Sequence, residues 1–367
     1  MNALYGVKRD YRAVSYALCS AVVGVILMRI ISYFTPSGEG YGGSLASDAL
    51  FTIPVQLLFF FGVPFLVYKL YGKRSVKQVF EYSNFTGFKP YFLLALPLGF
   101  CVWVFTIGVS SMWQALLGFT GYNSASSSPA MPEAFNFGYF VVDVLLTALL
   151  PAVCEEFIMR GGFLTTAQKT FKTVGCVVLC GVAFGLFHQN VKQVFYTSLF
   201  GALAAFMTIK LKSAFPAMLM HFANNFSSVF FNYADSYDFA LGGGFFDTLD
   251  YLGAAKPWAL ILVYVSFATA AGGIAFLMLY LRERSVIDKK MEVIKDSGFD
   301  LTNKRVVLMG EANEERVKEL EMEKEVYGAD YEEQKFKPSA RDVMVIVALG
   351  VVTVLTTVFT YVWGFFY

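Results

Sequence analysis

The sequence predicts an all-α polytopic transmembrane helical bundle of about eight or nine spans, and three observations predict it. Hydrophobic residues make up 56% of the 367, too apolar a composition for one soluble domain of this length. Apolar runs of about 20 residues, the length that crosses a bilayer as a helix, recur along the whole chain. Connections rich in Lys and Arg alternate with connections nearly free of them, as expected of a chain that passes back and forth through a membrane. The period-2 alternation of an outer-membrane barrel is absent, so helices are the way for these runs to satisfy their backbone in lipid.

In order, the runs cover 13 to 34, 50 to 69, 91 to 117, 138 to 168, 174 to 190, 193 to 210, 214 to 232, 257 to 281 and 343 to 366. The first follows Lys8, Arg9 and Arg12; Arg29 interrupts it and no A-x-A site follows, so it is expected to be a permanent span rather than a cleaved signal. KRSVKQVFEYSNFTGFKPYF, after the second, is basic and amphipathic and is expected to lie along the inner membrane surface. The Ser/Pro-rich GYNSASSSPAMPEAFN is expected to be a flexible outside loop. Lone Asp143, inside the fourth run, is either a proton-relay or site residue or a structural hydrogen-bond acceptor.

Residues 282 to 342 break the pattern with a dense mixture of both charges. Their ANEERVKELEMEKE suits a solvated helix with Glu-to-Lys pairs. The chain thus divides into N-terminal transmembrane helices (1–137), a central segment (138–232), an outside loop with the eighth span (233–281), a charged cytoplasmic insert (282–342) and a C-terminal span (343–367). The Lys/Arg bias and an odd span count place the N-terminus in the cytoplasm and the C-terminus outside. A net charge of +1 gives no reason to expect a nucleic-acid partner. The five cysteines all fall in predicted helices and suggest no disulfide framework, and Cys154 reads as a small packing residue.

The polar residues gather in the central segment. PAVCEEFIMRGGF puts Glu155, Glu156 and Arg160 at the end of one of the most apolar runs. A charge at a helix centre costs about 2.5–3.5 kcal/mol on insertion scales, so partners are required. Glu156 and Arg160, four apart, share a face and are expected to pair in the favourable Glu-first order. Glu155 points about 100° away and has no local cation, which leaves it available as a general base. The only two histidines, His188 in FGLFHQN and His221 in MLMHFANNF, sit in the fifth and seventh runs, and Asn225 shares a face with His221. Gly181 and Gly185 form a G-x-x-x-G suited to close helix approach.

A carboxylate and a histidine can hold and deprotonate a water while a second histidine and an amide stabilise an oxyanion, the chemistry of peptide or ester hydrolysis. A zinc site at one Glu and two His is the rival, although H-E-x-x-H is missing. One difficulty stands against a shared site. Counting along the spans puts His188 toward the outside and His221 in the cytoplasmic half, so the fifth span must be broken or tilted to bring them level.

The ordered trio E-E-x-x-x-R (Glu155, Glu156, Arg160), F-x-x-x-H (Phe184, His188) and H-x-x-x-N (His221, Asn225) resembles the CPBP superfamily. That group comprises the type II CAAX prenyl endopeptidases, called Rce1, and bacterial relatives of the Abi family linked to bacteriocin processing and self-immunity. The resemblance covers 138 to 232, which would be the catalytic core. It implies an intramembrane endopeptidase in which Glu155 and His188 activate water, His221 and Asn225 form the oxyanion hole, and Arg160 with Glu156 supports the site. It implies no required cofactor, with zinc as the alternative at the same residues. The expected partners are membrane lipids and a peptide or membrane-protein substrate, and the expected location is a bacterial cell membrane. Two other readings stand beside it: a self-immunity or binding protein that keeps the fold and polar pocket without turnover, and a transporter whose Glu/Arg/His cluster is a proton or ion site, which predicts repeated halves that are not evident in the sequence.

Overall fold

A computed structural model describes residues 2–35, 38–85, 87–122, 131–296 and 340–363. Its elements are helices: α1 (Asn2–Phe34), α2 (Gly40–Tyr71), α3 (Val76–Tyr82), α4 (Pro90–Gly118), α5 (Phe137–Ala167), α6 (Thr173–Phe187), α7 (Val194–Leu211), α8 (Phe215–Ser236), α9 (Phe245–Ala255), α10 (Pro257–Asp296) and α11 (Ala340–Trp363). No strand occurs among the described residues. Among the described residues seven helices, α1, α2, α4, α5, α7, α10 and α11, are long and apolar enough to cross a membrane.

The remaining two expected spans are helical as well. The fifth, α6, has 15 residues and so rises roughly 22 Å, short of the ~30 Å hydrocarbon core. The seventh, α8, has 22 residues but carries His221, Asn224, Asn225, Ser227, Ser228 and Asn232, too polar a set for a lipid-facing helix. The ANEERVKELEMEKE stretch, and residues 123–130 of the expected flexible loop, lie outside the described residues. The charged insert begins as a continuation of α10, which runs on to Asp296.

Large apolar side chains are exposed on α1, α6, α10 and α11, among them Ile30, Val174, Ile261, Phe276 and Leu355, as lipid contact requires. The apolar window of α4 is 56% buried against 11% for α10 and for α11, so α4 is central and the last two are peripheral.

Two helices are not regular. Val144–Leu149 and Phe157–Phe163 in α5, and Pro54–Gly62 and Val67–Tyr71 in α2, are wound as π-turns. Proline explains the setting: Pro54, Pro64 and Pro151 each lack the N–H that an α-turn needs, and wider turns adjoin them. At Gly161 the backbone leaves helical geometry (φ −75°, ψ −107°). The Arg160 carbonyl beside the kink is taken by Asn84 Nδ2 at 2.7 Å. A β-carbon at Gly161 would crowd Ser83, so this bend also lets the connection after α3 close against α5.

The expected close approach at Gly181 and Gly185 is present. A methyl at Gly185 would overlap Ser198 and the Val194 carbonyl, and one at Gly181 would overlap Ser198 and Ala202, so α6 and α7 meet nearly backbone to backbone. Within KRSVKQVFEYSNFTGFKPYF, α3 starts with a reciprocal cap: Ser75 Oγ accepts from the Gln78 N–H at 3.3 Å, and Gln78 Oε1 accepts from the Ser75 N–H at 2.9 Å. Arg74 and Lys169 both pair with Asp10, joining α1, the start of this segment and the end of α5.

Candidate active site

α5 turns its two adjacent glutamates to different surroundings. Glu156 is fully buried. Its Oε2 lies 3.0 Å from Arg160 Nε, and its Oε1 accepts from His221 Nδ1 at 2.9 Å. The Arg160 contact is ionic rather than an aligned hydrogen bond, because neither of those two atoms meets bonding geometry. Arg160 also donates through Nη2 to the Gly201 carbonyl at 3.2 Å, and its guanidinium sits 4.5 Å above the Phe184 ring. The i,i+4 pair is therefore present as expected, and His221 joins it as a third member.

Glu155 faces a cavity of about 600 Å³. His188, His221 and Asn225 line the same cavity, so the four residues singled out for one site do converge. The depth difficulty does not keep the histidines apart: His188, the C-terminal cap residue of α6, lines the same cavity as His221. The segment after it is pinned from three sides. Arg29 donates to the His188 carbonyl at 3.0 Å and the Gln189 carbonyl at 3.1 Å, Trp113 Nε1 donates to the Val191 carbonyl at 2.7 Å, and the Val191 N–H donates to Thr360 Oγ1 at 3.0 Å. Arg29, odd in an apolar run, thus satisfies carbonyls at a helix C-terminus.

Hydrogen bonding separates the two imidazoles. His188 Nδ1 lies 2.8 Å from the Phe184 carbonyl, which can only accept. The proton is on Nδ1, and in the neutral ring Nε2 carries a lone pair. His221 Nδ1 instead meets the Glu156 carboxylate. Phe184 lies between them, with ring centroids 4.9 Å from His188 and 5.8 Å from His221. Asn225 is fixed at both ends of its amide: Oδ1 accepts from Asn224 Nδ2 at 2.9 Å and Nδ2 donates to the Thr147 carbonyl at 2.9 Å. One N–H of Asn225 remains.

Sequence reasoning passed over Gln56, whose Nε2 donates to Glu155 Oε1 at 2.9 Å from α2. A single amide in the apolar IPVQLLFFFG was the available signal. Asn224, also on the cavity wall, was passed over too. Asp143 is not among the cavity residues; the hydroxyls of Tyr41 and Tyr233 each donate to its Oδ2 at 2.5 Å, which answers the open question in favour of a structural acceptor. Among the described residues no group of three or more His, Cys, Asp and Glu is arranged to hold a metal ion.

Fold and cavity together define a multi-pass membrane protein with a polar site inside its helical bundle. Residues 137–227, about a quarter of the chain, match the family described as type II CAAX prenyl endopeptidase Rce1-like. This segment is similar to a family of membrane proteases, in line with the resemblance carried by the three motifs. It includes Glu155, Glu156, Arg160, His188, His221 and Asn225, and it leaves out Gln56, Arg29 and α11. No curated protein and no solved structure matches the chain.

Proposed function

We propose that the protein is an intramembrane endopeptidase that hydrolyses a peptide bond with a water activated by Glu155 and His188. The observation that supports this best is that one cavity takes in Glu155, His188, His221 and Asn225. In this reading the unpartnered Glu155 Oε2 and the His188 Nε2 lone pair accept the two protons of one water. The water oxygen attacks the scissile carbonyl carbon as Glu155 takes its proton. The resulting oxyanion is held by the remaining Asn225 N–H and by His221 Nε2–H. For His221 to donate through Nε2 while Nδ1 donates to Glu156, the ring is the imidazolium, and Glu156 is its counter-ion. Collapse breaks the C–N bond, and Glu155 returns its proton to the leaving amine.

The reaction needs no metal. Its partners are the surrounding lipids and a peptide or membrane-protein substrate, with the N-terminus on the cytoplasmic side of a bacterial cell membrane. The test is cleavage of an internally quenched peptide library by the protein in liposomes, wild type against Glu155→Ala. Cleavage by the wild type alone, unchanged by a strong chelator, is the expected result. Full-rate cleavage by Glu155→Ala would overturn the mechanism, and a zinc-reversible loss in chelator would move the water onto a metal. No cleavage by the wild type would turn the reading to an immunity or binding protein with the same cavity.

A further inference from the structure

Gln56 is buried in the π-wound stretch of α2, outside the segment matched to the protease family. Its Nε2 donates to Glu155 Oε1 at 2.9 Å, and the amide's orientation follows because an ionised carboxylate can only accept. Two oxygens are then left over. Glu155 Oε2 and Gln56 Oε1 are each buried with no hydrogen-bond partner, and both side chains line the cavity. Folded cores ordinarily avoid such atoms, and two acceptors on adjoining side chains mark where a donor enters. The backbone behind them is held from α1, where Ser20 Oγ donates to the Phe59 carbonyl at 3.0 Å.

We infer that Gln56 is the positioning residue for Glu155. By donating to Oε1 it holds the carboxylate in one orientation and makes Oε2 the oxygen that takes the proton, while its own carbonyl oxygen accepts from an O–H or N–H donor in the cavity. A neutral amide suits this task. A Lys or Arg here would neutralise the carboxylate and weaken it as a base, a Glu would crowd it with like charge, and a Leu would leave Oε1 buried and unbonded. The inference rests on the reading of Glu155 as the base, and the experiment separates the two.

Full-length protein is compared as wild type, Gln56→Met, Gln56→Glu, Glu155→Ala and the Gln56→Met/Glu155→Ala double variant. The first readout is kcat and KM on a peptide cleaved in the library screen. Gln56→Met, which keeps the length and loses the amide, should lower kcat about tenfold or more with KM within about twofold. Gln56→Glu, of the same size, should lose kcat similarly and guards against a packing defect in the Met variant. The second readout is thermal unfolding, where the double variant should lose less Tm than the two single variants added together, because one contact is lost once. Unchanged kcat in both Gln56 variants, or strictly additive losses in Tm, would overturn the inference. A wild type that cleaves nothing would count against the endopeptidase reading, while the unfolding cycle would still decide whether Gln56 holds Glu155.

Discussion

Two carboxylates on α5, Asp143 and Glu155, sit in the same kind of apolar helix and have opposite fates. Asp143 Oδ2 receives two phenols at 2.5 Å each, and those hydroxyls are themselves 3.1 Å apart, so the three side chains form a closed set joining α2, α5 and α8. Glu155 has one donor, Gln56, and an oxygen left over beside a cavity. A carboxylate in an apolar helix is costly, and both are given partners to offset that cost. The difference is where the unused oxygen lies: Asp143 spends Oδ2 on two phenols away from the cavity and so ties helices together, while Glu155, on the cavity wall, keeps a buried oxygen without a partner.

The comparison can be broken most directly at Glu155. Glu155→Gln keeps shape and should lower peptide cleavage by roughly 10²–10⁴-fold with the unfolding midpoint near that of the wild type. If Asp143→Asn caused an equal loss of cleavage, the division between the two sites would be wrong. Asn225→Ala removes one proposed oxyanion donor and should cost about 10²-fold in kcat, with KM little changed, in the same assay. For Asp143→Asn the expected effect is on stability, about 1–2 kcal/mol by denaturant titration, with kcat retained. The smallest effect is expected for Thr360→Val, which removes the acceptor for the Val191 N–H. It should cost about 1 kcal/mol, with a few-fold loss of kcat if the pinned segment matters to His188.

Much of this was legible in the chain. Apolar run length gave helices near the expected positions, because lipid leaves a spanning backbone few alternatives. Glu156 with Arg160, and the glycine pair on α6, were legible because helical spacing alone puts their side chains on one face. The convergence of Glu155, His188, His221 and Asn225 was expected from the motifs, but its means was not. In the structure α6 ends at Phe187 and His188 caps it, whereas hydropathy carries the apolar run to residue 190. The kink at Gly161 was equally hidden, since Gly-Gly in a helix is permissive and only contact with Ser83 and Asn84 shows which way the chain bends.

By itself, then, the sequence determined the material of the bundle, the run of helices and the pairs that lie within one helix, all of which follow from composition and a 3.6-residue period. Tertiary structure decided which nitrogen of each histidine is engaged, that Glu156 meets His221 as well as Arg160, that Asp143 accepts from Tyr41 and Tyr233, and that Gln56 donates to Glu155. Most of these contacts join residues from different helices, between 65 and 102 positions apart where Tyr41, Gln56 and His221 are concerned. No local period encodes such a meeting; it exists only once the helices have packed, and packing is what gives Asp143 two phenol donors and leaves one oxygen of Glu155 buried without a partner.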